Sequence, residues 1–548
     1  MTKRSKLVCA AAIALAIFSN LNAQISYGGS PRFLNQKSID SKAIVALSKI
    51  NNDTYLDEDV AEKGSAMRVG VVQKVNFSNL KDGVTDILDN GDRIWRLTIK
   101  SEGATFMNTS FKTFNIPAGA ELFIYDETKE FVLGKFTMES ALEDGKFYTQ
   151  SIPGDEITLE YYEPYEVAGK GVLEIDEIGH GYKDMFQMMD FANEAKGPHG
   201  YADGDCHINV ACPEGDEWRD QIRSVVHYQI GAGGYLYMCS GALINNTAKD
   251  KTNYVLSAHH CQDLNVNITS FVFYFNYQTT ECEGRTGTYQ NSVIGGDIIA
   301  KNSATDFLLL KIRRAIPESY NVHYAGWSRA TTAPGIGAGI HHPGGDWKKI
   351  SIPASVTSQN GNFWAVVWIA GDNNKGVTEQ GSSGSPIFDA NGRIVGQLYA
   401  GVSSCDNLSS SSALYDIYGK FNRSWALGTT AEKRLSDWLD PLGTNVMQLD
   451  GIDWNYEADS AVGINSIDAK NIMSVYPNPS SNGIFNIDID EMGMAQYSIY
   501  DMMGHCVQTA NIMLTSSTYK LKANLKQGSY VLEIKVNGKK YNKTIILR

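Results

Sequence analysis

Apolar and polar positions alternate in short runs along much of this chain. Between residues 24 and 196 the segments Ile94-Trp95-Arg96-Leu97-Thr98-Ile99, Glu121-Leu122-Phe123-Ile124-Tyr125 and Ile157-Thr158-Leu159-Glu160-Tyr161-Tyr162 read as strands. Turn formers such as Asn90-Gly91-Asp92 and Pro117-Ala118-Gly119 punctuate them. A second strand-like series closes the chain: Val475-Tyr476-Pro477-Asn478-Pro479, Ile499-Tyr500-Asp501-Met502-Met503-Gly504 and Gly528-Ser529-Tyr530-Val531-Leu532. Between the two series, Phe307-Leu308-Leu309-Leu310 is apolar at every position, as in a buried strand. The pattern predicts an all-β dominated chain. At the start, Lys3, Arg4 and Lys6 precede an apolar run from Leu7 to Phe18 and a small-residue site at Leu21-Asn22-Ala23. This is the layout of a secretory leader, with cleavage expected before Gln24. No other stretch approaches the ~20 apolar residues that a membrane helix needs.

Composition adds two constraints. With 548 residues, 43% hydrophobic and 20% charged, the chain is ordinary globular material for several domains. A net charge of −13 argues against nucleic acid as a partner and is weakly favourable to a cationic substrate. There is no P-loop, dinucleotide fingerprint or heptad series.

Three segments carry the chemistry. Ala258-His259-His260-Cys261, Thr305-Asp306-Phe307-Leu308-Leu309 and Gly381-Ser382-Ser383-Gly384-Ser385-Pro386 occur in that order. The order His, Asp, Ser is that of chymotrypsin-like serine proteases and differs from subtilisin-like and α/β-hydrolase enzymes. Imidazole is the base that can take a serine proton near neutral pH. The reading assigns Ser383 as nucleophile, His260 as general base and then acid, and Asp306 as the group that orients the imidazole. The N–H groups of Gly381 and Ser383 are the expected oxyanion hole, worth roughly 3–4 kcal/mol per donor in kcat. His259 is read as a packed neighbour. Ser382 stands where mammalian relatives carry the aspartate that pairs with a newly freed N-terminus, so activation by that ion pair is not expected.

Cys9 falls in the leader and Cys506 in the tail, where it is expected to be free. The remaining cysteines, Cys206, Cys212, Cys239, Cys261, Cys282 and Cys405, suggest three disulfides, for which sequence alone allows 15 pairings. No Cys/His spacing suggests zinc, and neither a metal nor another cofactor is expected.

Cys206-His207-Ile208-Asn209-Val210-Ala211-Cys212-Pro213-Glu214-Gly215-Asp216 resembles the mature start of bacterial lysyl endopeptidases. The resemblance continues through Leu256-Ser257-Ala258-His259-His260-Cys261, His341-His342-Pro343-Gly344-Gly345-Asp346 and Gly381 to Pro386. It closes with Tyr415-Asp416-Ile417-Tyr418-Gly419-Lys420-Phe421 and Arg434-Leu435-Ser436-Asp437-Trp438-Leu439-Asp440. It covers roughly residues 200 to 450. It implies a chymotrypsin-like double β-barrel with a C-terminal helix, and the pairs Cys206–Cys405, Cys212–Cys282 and Cys239–Cys261. It also implies a substrate pocket whose acid is Asp416, since Val377 occupies the position that holds the pocket aspartate in trypsin-like enzymes. The other reading of Asp416 is a solvated turn. Tyr399 stands where the family places a pocket-flanking histidine, and the segment Asp406 to Ser412 is longer than the family's. The longer segment leaves arginine as a second candidate beside lysine, and Tyr399 is expected to change affinity or pH optimum.

The tail motifs resemble the C-terminal sorting domain of the type IX secretion system, a small β-sandwich; a carbohydrate- or partner-binding module is the other reading. Residues 24–196 are similar to the β-rich propeptides that precede lysyl endopeptidases, the other reading being a retained binding domain. The expected organisation is a leader (1–23), β-rich propeptide (24–196), protease domain (197–455), linker (456–472) and sorting domain (473–548). A cut after Lys196 would start the mature enzyme at Gly197. The expected protein is a secreted or surface-attached serine endopeptidase that cuts protein or peptide substrates after lysine, acts as a monomer and meets the type IX secretion machinery. The alternatives are a protease of other specificity and a catalytically silent surface adhesin.

Overall fold

The computed structural model describes residues 29–32, 43–61, 66–184, 206–262, 266–284, 287, 291–369, 375–407, 414–456, 473–489, 491–501, 505–516, 518–537 and 539–548. The expected leader, the Lys196–Gly197 cleavage point and residues 457–472 of the expected linker lie outside them. Two compact units emerge, Met1–Tyr456 and Glu457–Arg548. No helix among the described residues is long and apolar enough to cross a membrane.

In the first unit, the three runs read as strands are Arg93–Lys100, Glu121–Asp126 and Glu156–Glu163. The third lies between the other two, antiparallel to both, with Leu159 opposite Leu97 and Ile124. Leu97, Ile99, Leu122, Ile124, Ile157 and Leu159 are all fully buried. The alternation in sequence is therefore the inward face of one sheet.

Downstream, Val225–Ala232, Tyr235–Leu243, Tyr254–Ala258, Phe307–Ile312 and Gly296–Asn302 pair in sequence around a first barrel, with Val272–Tyr274 and Ser292–Ile294 along its other side. The anticipated apolar run is the core of Phe307–Ile312, and Leu308 and Leu309 are inaccessible to solvent. A second, ten-stranded sheet includes Gly339–His341, Lys349–Ser351, Pro386–Phe388, Arg393–Gly401, Tyr415–Lys420 and Phe363–Trp368. The helix expected at the end of this region is a single turn, Ser436–Leu439. Pro441 and Gly443 follow closely and stop it.

The N-terminal β-segment and the first barrel share a sheet. Strand Met67–Ser78 adds antiparallel to Tyr235–Leu243, with Val71 opposite Tyr235 and Met67 opposite Met238. One apolar core contains Met107, Phe111, Phe147 and Ile178 from upstream together with Tyr274, Tyr277, Ile294 and Trp347 from downstream. Arg314 donates to the carbonyls of Glu139, Ser140 and Ala141.

The second unit is a β-sandwich. Met473–Tyr476, Ile484–Ile489 and Thr518–Lys522 form one sheet; Gly493–Tyr500, Cys506–Leu514, Gly528–Val536 and Lys539–Leu547 form the other. Phe485, Ile487, Ile499, Leu532, Ile534 and Ile545 fill the space between them.

Candidate active site

Strand pairing brings the first two predicted site residues together. Ala258 ends one strand opposite Phe307, which begins the next. His260 in the turn after the first strand therefore meets Asp306 before the second. Asp306 Oδ2 accepts from His260 Nδ1 at 2.7 Å, and Oδ1 accepts from the His260 backbone N–H at 3.0 Å. Asp306 also takes a left-handed backbone (φ 57°), which a non-glycine residue adopts only where its surroundings hold it. Its carbonyl receives the N–H of His259 at 2.7 Å, so His259 contributes backbone to this corner. The bond at Nδ1 fixes the imidazole tautomer and leaves Nε2 free to take a proton.

Ser383 lies in the turn before strand Pro386–Phe388. Ser382 and Ser385 on either side are fully buried, whereas Ser383 is half-buried. The first barrel grips this turn. Ser240 N–H donates to the Ser383 carbonyl at 2.8 Å, and Ser240 Oγ donates to the Gly381 carbonyl at 2.9 Å. Gly381 has φ +90°, and a Cβ there would stand 2.8 Å from Gly345 N and His342 O, so only glycine fits. His260 and Ser383 share no hydrogen bond in this state; such bonds in unliganded sites tighten when substrate docks.

Asp416 lies on strand Tyr415–Lys420 and is inaccessible to solvent, which rules out the solvated turn. One carboxylate oxygen accepts from Trp368 Nε1, from Thr378 Oγ1 at 2.6 Å and from Ser403 Oγ at 2.6 Å. Among the described residues the other receives only the Ser403 N–H, at 3.3 Å. Burial pushes the carboxyl pKa up, and the bonds from Ser403, Thr378 and Trp368 pull it partly back. No cation pairs with it among the described residues. Thr378, Ser403 and Trp368 were not singled out in the sequence; each is an ordinary residue type whose role depends on which strands adjoin Asp416. Val377, two residues before Glu379, is a core residue. Tyr399 is exposed, its ring 6.2 Å from that of His260 and stacked at 5.2 Å on Phe363. Of the segment Asp406 to Ser412, residues 408–412 lie outside the described set.

The structure pairs Cys206 with Cys405, Cys212 with Cys282 and Cys239 with Cys261, leaving Cys506 unpaired and exposed. The third bridge anchors the turn that carries His260 to the strand Tyr235–Leu243. Cys206, His207 and Cys405 lie close enough to suggest a metal cluster, but the two sulfurs are bonded to each other. The second acidic cluster, Asp220, His323 and Asp453, already holds Arg223, which donates to both carboxylates at 2.6 Å. Neither group is arranged for an ion.

Residues 201–419 match the family model for the lysyl endopeptidase C-terminal domain. Residues 474–548 match the model for the secretion system C-terminal sorting domain, which marks the chain for export to the surface or medium. A lysyl endopeptidase of Pseudomonas aeruginosa is 28% identical over 313 residues, spanning 51% of this chain. The chain covers 63% of that relative's length. Among solved structures, the thermostable serine protease AL20 from an extremophilic microorganism gives a TM-score of 0.28 at 11% identity, covering 37% of this chain and 92% of that one. A protease of Arthrobacter nicotinovorans gives 0.27 at 17% identity, covering 36% and 89%. Residues 201–419 are thus similar to the lysyl endopeptidase family of serine endopeptidases, and residues 474–548 to a secretion-system sorting domain.

Proposed function

We propose that the protein is an exported serine endopeptidase that hydrolyses peptide bonds on the carboxyl side of lysine, through His260, Asp306 and Ser383. Ser383 Oγ attacks the scissile carbonyl while His260 Nε2 takes its proton. The oxyanion forms against the N–H groups of Gly381 and Ser383. The imidazolium, steadied by Asp306, then protonates the departing amine, which leaves an ester on Ser383. Water, deprotonated by the same imidazole, releases the acid.

The observation that carries the specificity is Asp416, a buried carboxylate whose second oxygen has spare acceptor capacity. A side-chain ammonium supplies three donors and the opposite charge on a compact head. A neutral side chain would leave the carboxylate buried and unpaired, at a cost of roughly 3–5 kcal/mol. Arginine is the second candidate. Tyr399 stands in place of the family's histidine, and the planar guanidinium of an arginine substrate can stack on its exposed ring.

The flanking segments fit the same reading. Residues 24–196 are the propeptide, removed by a cut after Lys196 that the enzyme's own specificity permits, and the C-terminal domain is handed to the type IX secretion machinery.

The test is cleavage of a peptide library by processed protein, alongside Ser383→Ala and Asp416→Asn. Cuts after lysine, abolished by the first change and lost or redirected by the second, are expected. Cuts after uncharged residues that survive Asp416→Asn would discard the specificity and keep the protease. No cleavage, with no fluorophosphonate labelling of Ser383, would leave a binding protein.

A further inference from the structure

The two N–H groups assigned to the oxyanion hole must point into the cleft before substrate arrives. A trans peptide sets C=O and N–H on opposite sides, so pinning a carbonyl aims the following N–H. Both carbonyls are pinned. Gln380 O accepts from Gly344 N at 2.6 Å, which aims the Gly381 N–H the other way. Ser382 O accepts from Ser385 N at 2.9 Å, which does the same for Ser383. Neither Gly381 N–H nor Ser383 N–H donates to any described residue, so both stay available. In mammalian relatives the loop is held by the freed N-terminus, and Ser382 here cannot receive one.

His341 takes that place. It is fully buried at the end of strand Gly339–His341, and its ring bridges two hydroxyls: Nδ1 lies 2.8 Å from Ser382 Oγ and Nε2 lies 2.8 Å from Ser351 Oγ. The direction of each bond follows from its neighbours. Ser351 donates its proton to the Val377 carbonyl at 3.2 Å, so it accepts from Nε2–H. Ser382 Oγ accepts the Glu379 N–H at 3.3 Å, leaving its own proton for Nδ1. The whole relay, from Glu379 N–H through Ser382, His341 and Ser351 to Val377, is satisfied by a neutral imidazole protonated on Nε2. Burial among Ser351, Ser382 and the nearby His207 and Lys349 disfavours the charged ring. The relay ties three points of the segment Val377–Ser382 to one hairpin. The same hairpin supplies Gly344 and, through the His342 N–H to Ser240 Oγ at 3.1 Å, supports the group that holds the Gly381 carbonyl.

We infer that His341 is a positioning residue for catalysis: through Ser382 it sets the oxyanion loop in the continuous chain, with no need of a freed N-terminus. This deepens the reading of Ser383 as nucleophile and rests on it.

The experiment compares His341→Ala, Ser382→Ala and the double variant with wild type in kcat, KM, melting temperature and affinity for a lysyl boronic acid. The boronate uses the oxyanion hole, whereas the cleavage product uses the pocket alone. His341→Ala is expected to lower kcat about 10- to 100-fold with KM changed less than about threefold, below the loss for deleting a donor outright. Boronate affinity should fall in parallel and product affinity should not. The double variant should be no worse than the poorer single variant, since both break one relay. Wild-type kcat in folded His341→Ala overturns the inference, as does a loss that appears only in KM. If His341→Ala does not fold, Ser382→Ala decides, and a kcat within about twofold of wild type rejects the relay. Wild-type protein that fails to label with fluorophosphonate removes the underlying reading instead, so the two failures are distinguishable.

Discussion

Gly401 faces the carboxylate of Asp416 so closely that a Cβ on Gly401 would stand 1.7 Å from Asp416 Oδ1. This is the carboxylate oxygen that the three side-chain donors leave alone. A hydrogen at this position keeps the open side of the acid clear for a ligand's cation. Gly401→Ala should therefore force the carboxylate aside and fill the pocket floor. The expected result is a loss of about 100-fold or more in kcat/KM for lysyl substrates, with fluorophosphonate labelling of Ser383 retained. Steady-state kinetics beside labelling rates check this, and undiminished lysyl cleavage would show that the pocket lies elsewhere.

Asp416 also predicts a pH dependence. Its folded pKa is raised above the ordinary 3.8, first by burial. The unfolded chain therefore releases this proton at lower pH than the folded one. Stability from this group falls as pH rises from the unfolded value through the folded one and is level above it. Asp416→Asn should accordingly melt no lower than wild type at neutral pH. Cation binding runs the opposite way, because only the ionised acid attracts an ammonium. The inhibition constant of a primary alkylammonium should weaken on acidification through a midpoint above 3.8, and Asp416→Asn should flatten the profile. A wild-type profile that is flat between about pH 3 and pH 7 would contradict the role of Asp416.

What sequence reasoning reached and what it missed differ in range. His260, Asp306 and Ser383 lie in short local signatures, because catalysis imposes residue types on immediate neighbours: the cysteine beside the base, glycines around the nucleophile, an apolar strand after the acid. The strands around Leu97, Ile124 and Leu159 were legible because period two is a local property. The donors to Asp416 and the His341–Ser382 contact were not. They join positions 41 residues apart in one case and 13 or more in the others, and only strand order brings them together. His341-His342-Pro343-Gly344-Gly345-Asp346 marked the family but carried no chemistry until its hairpin was seen against the oxyanion loop. The C-terminal helix was implied by the resemblance alone, and here Pro441 and Gly443 follow a single turn, Ser436–Leu439. The strand addition at Tyr235 was not legible either, since an edge that accepts a partner strand reads like any other strand.

The Cys239–Cys261 bridge spans 22 residues and ends beside His260. Closing a loop of that length restricts the unfolded chain by about 3 kcal/mol. Its second effect is local, since it anchors the turn that presents the base. Replacing both cysteines with serine should lower the melting temperature and also reduce kcat beyond what the unfolded fraction explains. Activity measured well below the melting transition separates the two; a loss that vanishes on cooling would leave the bridge a purely global role.

The contact between the N-terminal β-segment and the first barrel makes the last prediction. Residues 225–456 alone would present the free edge of Tyr235–Met238 and uncover part of an aromatic face made by Tyr274, Tyr277 and Trp347. An unpaired edge beside exposed aromatic area favours aggregation. Among the described residues, none of the hydrogen bonds or strand pairings with this segment involves His260, Ser383 or Asp416. Arg314 holds three carbonyls of the turn at Glu139–Ala141, Ser151 bonds to Gln229 and Tyr274, and strand Met67–Ser78 pairs with Tyr235–Met238. These contacts support the first barrel through its strand edge and its core. A chain beginning at Gly197 should refold to little active enzyme, and adding residues 24–196 as a separate polypeptide should raise the yield at least tenfold. Gly70→Val in the added segment should weaken the rescue, because a Cβ at Gly70 would lie 2.7 Å from the His180 carbonyl and distort the pairing strand. Equal yields with and without the added segment would mean that the barrel completes itself, and that residues 24–196 serve another purpose.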